Sequence, residues 1–167
     1  MTTSELTLKS EQTAMNFVIQ VDRSILPVYP GWQKRLLHPE LETAGFPVYY
    51  LSMLRAWLHE KQKTGTVRGQ VIYDHLKDTG IISTCLNLQD GIAIVKNGIE
   101  PLSDVFGEQA LFLWASAVES SNGQLSVPYV YKRHYEHKSM PDIAWHWLDD
   151  VWGKTQPALR YNNLEFA

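Results

Sequence analysis

The sequence predicts an α+β fold in which N-terminal helices pack on a C-terminal four-strand antiparallel meander. Three observations carry this reading. Apolar residues recur at three- and four-residue spacing through 10–107, and the spacing drops towards two over 109–162. Asn122-Gly123 stands between two apolar runs, a dipeptide suited to a type I′ hairpin turn because both of its residues tolerate positive φ. No repeat, low-complexity tract or linker divides the chain, so 1–167 is expected to form a single α+β domain.

Residues 1–9 are polar and small, and are expected to be disordered. From Ser10 the positions Ala14, Phe17, Val18, Val21 and Ile25 follow a helical period. Phe17, Ile19 and Val21 also alternate as a strand would, and the length of the pattern favours the helix. Two prolines and a glycine between Pro27 and Gly31 then break the chain, and a short turn at 32–37 ends at His38-Pro39. The clearest helix is predicted from Pro47 to Lys63. Val48, Leu51, Leu54 and Leu58 form its stripe, Tyr50, Met53 and Trp57 widen it, and Gly65 closes it. A second helix fits Thr66 to Thr79, with Val67, Val71, Ile72 and Leu76 inward. Leu88, Ile92, Val95 and Ile99 predict another, and Pro101 starts a last short one ending at Gly107.

The meander is predicted at 110–118, 127–133, 143–148 and 158–161. A two-residue loop at Asn122-Gly123 sets Val118 opposite Val127, Ser116 opposite Tyr129 and Trp114 opposite Tyr131. Pro128 has no N–H to give, so an irregularity is expected there. Trp145 and Trp147 lie on one side of the third strand, with Ala144, His146 and Leu148 on the other. Whether the tryptophans are core or binding surface depends on the face the helices cover. The short last strand is expected at an edge, open to pairing with a second copy as a homodimer.

Composition bounds the chemistry. A net charge of −3 argues against general binding to nucleic acid or anionic lipid. The single cysteine, Cys85, cannot form an internal disulfide, which fits a reducing compartment and a cytoplasmic protein. No apolar run approaches the ~18 residues of a membrane span, and 1–5 lacks the basic and apolar pattern of a secretory signal. No glycine-rich phosphate loop, dinucleotide fingerprint, nucleophile elbow or zinc-binding helix motif is present, so no cofactor is expected.

Two constellations remain. The run from Tyr131 to Lys138 interleaves basic and aromatic side chains, as single-strand binders do, although a solvated strand end has the same composition. His134, His137 and His146 with Asp149-Asp150 are chemically sensible zinc ligands, without a spacing that makes them converge. Cys85 has only His75 near it in sequence and reads as a small buried apolar residue. A helix-turn-helix at 66–90 would present Leu86, Asn87, Leu88, Gln89 and Asp90, too little positive charge for a groove.

The expected function is therefore a small cytoplasmic interaction or ligand-binding module, non-catalytic, with an unidentified protein or small-molecule partner. Trp145, Trp147, Tyr131, Arg133, His134 and His137 are the expected contact residues. The alternatives are a small enzyme around His134, His137 and His146, and a nucleic-acid binder acting through 131–138.

Overall fold

The computed structural model describes residues 2–97 and 99–162. In chain order it forms α1 (Thr3–Asn16), β1 (Val18–Gln20), β2 (Gln33–Leu36), β3 (Val48–Tyr50), β4 (Leu54–Trp57), α2 (Glu60–Thr64), β5 (Val67–Arg68) and α3 (Gly69–Asp78). There follow α4 (Leu88–Asn97), α5 (Ile99–Phe106), β6 (Leu111–Phe112), β7 (Val118–Ser120), β8 (Leu125–Tyr135), β9 (Lys138–Trp147), β10 (Val151–Trp152) and β11 (Ala158–Tyr161). Helices and strands are thus interspersed.

The main sheet has seven strands, ordered β2-β7-β8-β6-β11-β4, with β9 paired to β8. It is mixed, because β11 runs parallel to β6 and antiparallel to β4. β1–β3 and β5–β10 form two small antiparallel pairs beside it. This corrects the predicted four-strand meander. Residues 110–118 are not one strand: a 3-10 turn at Trp114–Ser116 separates β6 from β7. There the chain leaves the ladder, and Ala115 N–H donates to Leu86 O at 3.2 Å. The irregularity expected at Pro128 lies where the neighbour of β8 changes from β7 to β6, and Pro128 O accepts from Leu113 N–H at 2.9 Å.

The register also differs. Val118 faces Ser126, and Phe112 faces Tyr129, because 121–124 form the β7–β8 connection rather than Asn122-Gly123 alone. The strand expected at an edge, β11, lies between β6 and β4.

The N-terminal half departs further. Thr3–Asn16 is helical where 1–9 were expected to be disordered, and Thr2 with Glu5 forms a capping box at its start. The alternation at Ile19 and Val21 wins over the helical period, since β1 pairs with β3 and buries both residues. The predicted helix from Pro47 to Lys63 is instead β3, a 3-10 turn and β4, with only α2 helical at its end. Long-range pairing with β1 and β11 decides here, and the aromatic and β-branched run Val48-Tyr49-Tyr50 suits a half-buried pleat. The helix read from Thr66 begins at Gly69, after Val67 and Arg68 pair with β10.

Helices cover both sheet faces, not one. On one side Leu111, Val130, Leu159 and Tyr161 join a core with Leu88 and Ile94 of α4 and Leu102 of α5. On the other Phe112, Val127 and Ala158 pack with Ile72 and Leu76 of α3 and with Trp114 and Trp152.

The first core contains a polar centre. Asp90 Oδ1 accepts from Arg23 at 2.7 Å, Tyr49 at 2.8 Å and Tyr161 at 3.1 Å, while Oδ2 accepts from Asn87 N–H at 3.0 Å. The Arg23 guanidinium also donates to Phe46 O at 2.8 Å and to Asn87 Oδ1 at 3.2 Å. Burial pushes the Tyr49 hydroxyl far up, and the Asp90 charge adds to it, so the phenol stays a donor. Gly45, at φ +121°, lets the backbone pass: a Cβ there would fall 2.5 Å from Arg23 and 2.6 Å from the Tyr161 hydroxyl. Asp90→Ala is expected to lower the unfolding free energy by about 3–5 kcal/mol, because Arg23 is left buried without its counter-charge. Arg35→Ala breaks only the surface pair with Glu119 and should leave the urea midpoint nearly unchanged.

Candidate functional site

The structure divides the six expected contact residues among three places. Trp145 and Trp147 lie on the face of β9 that meets the first core, where Trp145 packs against it. Tyr131 and Arg133 lie on the opposite face, Tyr131 following Tyr129 at 5.4 Å between rings. His134 and His137 are exposed at the end of the β8–β9 hairpin.

That hairpin turns at Glu136 and His137, both at positive φ without a glycine. Two of its cations have carboxylate partners. Lys132 meets Glu100 at 3.0 Å and Glu108 at 3.7 Å, and Arg133 meets Asp142 at 3.5 Å. These carboxylates compete with any phosphate for the basic run.

The histidines are not brought together. His134 pairs with Ser139 and His146 with Val127, which puts them seven register steps apart, about 23 Å along the strands. His146 instead sits between Phe112 and Trp152, at 6.0 and 4.6 Å between rings. No group of three or more His, Cys, Asp or Glu side chains is arranged to hold a metal among the described residues. Cys85 is buried and donates to Ile81 O at 3.6 Å, and burial pushes its thiol up to about 12, away from nucleophilic use.

An apolar surface forms where the sequence shows only a chain break. Trp32 packs edge-on to Trp145 at 5.3 Å and tilted to Trp147 at 5.5 Å, and Tyr29 lies 6.2 Å from Trp145. All four are half-buried. A depression of about 320 Å³ runs from Trp145 and Ile143 past Tyr29 to Val28 and Ile92. At Val28 and Ile92 it meets a second depression of about 810 Å³, floored by Ile25, Leu26 and Val48. Val28 is 92% exposed, Leu26 63% and Ile25 62%, unusual values for aliphatic side chains clustered in one loop. Gln20, Asp22, Gln89 and Lys96 edge the larger depression.

Comparison with protein-family models, curated proteins and solved structures finds no match to this chain. The site is therefore argued from its own geometry. Among the described residues no helix is long and apolar enough to cross a membrane.

Trp32 and the loop 25–30 were missed in the sequence, where prolines mark a break but not what the break presents. The available signal was composition: Ile25, Leu26, Val28 and Tyr29 are too apolar for an ordinary solvated turn.

Burial pushes the His146 imidazole below its usual 6.5, against the opposing pull of Asp150. A depressed histidine contributes stability that is present above its unfolded value and is lost as pH falls through that value towards the lower folded one. His59 is also depressed by burial and adds in the same sense. The unfolding free energy is expected to fall between pH 7 and pH 5 in urea titrations, and His146→Gln should make that dependence shallower without removing it.

Proposed function

We propose that this protein is a non-catalytic interaction module that takes an apolar segment of a protein partner along the trough from Ile25 to Trp145. The observation that carries this is the continuity of the two depressions through Val28 and Ile92, with aliphatic side chains exposed along one half and Tyr29, Ile143 and Trp145 lining the other, where Trp32 packs on Trp145. An apolar floor edged by Gln20, Asp22 and Lys96 has the make-up of an interface, with an anchor region inside and a polar rim. Tryptophan and tyrosine supply large contact area at small entropic cost, which suits Tyr29, Trp32 and Trp145 to the role of anchors. Of the expected contact residues, Trp145 and Trp147 belong to this surface. Tyr131, Arg133, His134 and His137 would serve a partner that reaches the hairpin. The single buried thiol supports a reducing, cytoplasmic setting.

A homodimer through β11 loses its support, because that strand is flanked on both sides. A second copy remains one possible donor of the apolar segment, and mass distinguishes it. A photo-reactive benzophenone amino acid at Val28 is expected to give one discrete cross-linked adduct in cells, absent when Ile25→Asp is added. The same group at Tyr135, also exposed but on the hairpin, should not give it. An adduct of twice the chain mass identifies a second copy; no adduct, or the same adducts from both positions, refutes the reading.

A further inference from the structure

On a different side of the molecule, two arginines face each other without a carboxylate partner among the described residues. Arg55 of β4 stands directly opposite Arg160 of β11 in the antiparallel register. Like charges in that position destabilise a strand pair. Three other arginines are neutralised, Arg23 by Asp90, Arg35 by Glu119 and Arg133 by Asp142, and Arg68 donates to the Asp149 backbone carbonyl at 3.1 Å. Neither Arg55 nor Arg160 has a carboxylate partner among the described residues, and the buried Arg160 Nε has no hydrogen-bond acceptor. Burial and the adjacent Arg55 both pull the Arg160 guanidinium below its usual value, so the pair is electrostatically frustrated as it stands.

Arg55 opens onto a groove of about 600 Å³, within the range of small-molecule sites. Lys154 and Lys63 line it with His59, His75 and one carboxylate, Glu60. Lys63 is engaged by Glu60 at 2.8 Å, while Lys154 has no carboxylate partner among the described residues. The two imidazoles are fixed. His75 stacks on Trp57 at 5.7 Å between rings and 22° between planes, and His59 meets His75 edge-on at 5.1 Å. His59 Nδ1 accepts the Lys61 N–H at 3.1 Å. That hydrogen bond puts the ring proton on Nε2, a donor free of the cap.

We propose that this groove binds the phosphate group of a small phosphorylated molecule. Arg55 and Lys154 pair with the anion, His59 Nε2–H donates to it, and Arg160 contributes its charge from the neighbouring strand. Ala56, Leu58 and Pro157 form the apolar wall against which the rest of the molecule lies. An anion in this position would relieve the Arg55–Arg160 repulsion, and a planar guanidinium matches phosphate oxygens in pairs. A small molecule is favoured over a nucleic-acid strand by the shape of the charge. The cations line one groove instead of forming a stripe, Lys132 and Arg133 of the hairpin are already paired, and the whole chain carries −3. This site is separate from the apolar trough and stands or falls without it.

Nuclear magnetic resonance titration of the full chain with inorganic phosphate and with ribose 5-phosphate, at constant ionic strength, tests the proposal. Saturable shifts are expected at the Trp57 indole and the His59 and His75 rings, with ribose 5-phosphate also moving Ala56 and Leu58. Arg55→Gln should weaken binding about tenfold or more, while the unliganded melting temperature stays level or rises as the repulsion is removed. Lys138→Gln on the hairpin should leave binding unchanged. No saturable shift, or equal binding by Arg55→Gln, overturns the proposal. Tighter and steeply salt-dependent binding of a twelve-nucleotide single strand, without a response to ribose 5-phosphate, also overturns it in favour of nucleic acid.

Discussion

The Asp90 carboxylate is the point on which the N-terminal half of the molecule depends. One oxygen accepts from Arg23, Tyr49 and Tyr161, and the other from the Asn87 backbone. Those donors come from the loop after β1, from β3, from β11 and from the start of α4. A single charge therefore ties the β1–β3 pair and α4 to the central sheet. Apolar packing alone would fix these elements less uniquely, since Ile19, Leu51 and Leu88 can slide against neighbours of similar shape. The cost is the removal of two charges from water, which the remaining hydrogen bonds of Arg23 to Phe46 and Asn87 help to offset.

The sheet then acts as a partition. Its odd and even positions feed two separate cores, so the register of β8 and β9 decides the environment of Tyr129, Tyr131, Trp145 and Trp147. Tyr129 and Tyr131 fall on the α3 side and Trp145 and Trp147 on the α4 side. Cover on the α4 side gives out beyond Ile143 and Trp145, and there Trp32 and Tyr29 arrive from a distant loop to share the surface with β9. The apolar trough is the unfinished end of a core.

How much of this was legible in the sequence follows from the range of the interactions. α4 and most of the buried side of α3 were legible because Leu88, Ile72 and Leu76 obey a local period and pack as it requires, whereas Val71, expected inward, is exposed and Tyr73 takes the buried place. The β3–β4 region was not, because Leu51 and Leu54 satisfy a helical period and are equally buried in a 3-10 turn and a strand. Only the partners at 18–20 and 158–161 distinguish the two, and nothing in residues 47–63 reveals them. The same holds for the sites. Trp145 and Trp147 were readable as an aromatic pair on one face, whereas their contact with Trp32 spans more than a hundred residues. The Arg55–Arg160 juxtaposition needs the β4–β11 pairing and has no local signature at all.

The buried network and the exposed loop are one construction. Ile25, Leu26 and Val28 leave their side chains in water, forgoing about 1.5–3 kcal/mol each that burial would supply. A loop so exposed needs another source of order, and it comes from the backbone. The Gln89 amide donates to Ile25 O at 2.7 Å and to Arg23 O at 3.3 Å, and Gln89 Oε1 accepts from Arg23 at 3.4 Å. Gln89 and Asp90 are adjacent in α4, so the residue that anchors the loop and the residue that neutralises Arg23 move together. The apolar side chains are thereby presented on a framework held by polar bonds, and the entropy of ordering the loop is met in folding instead of on binding. Such preorganisation is what lets a modest apolar surface bind selectively. It also makes the trough depend on a carboxylate that does not line it.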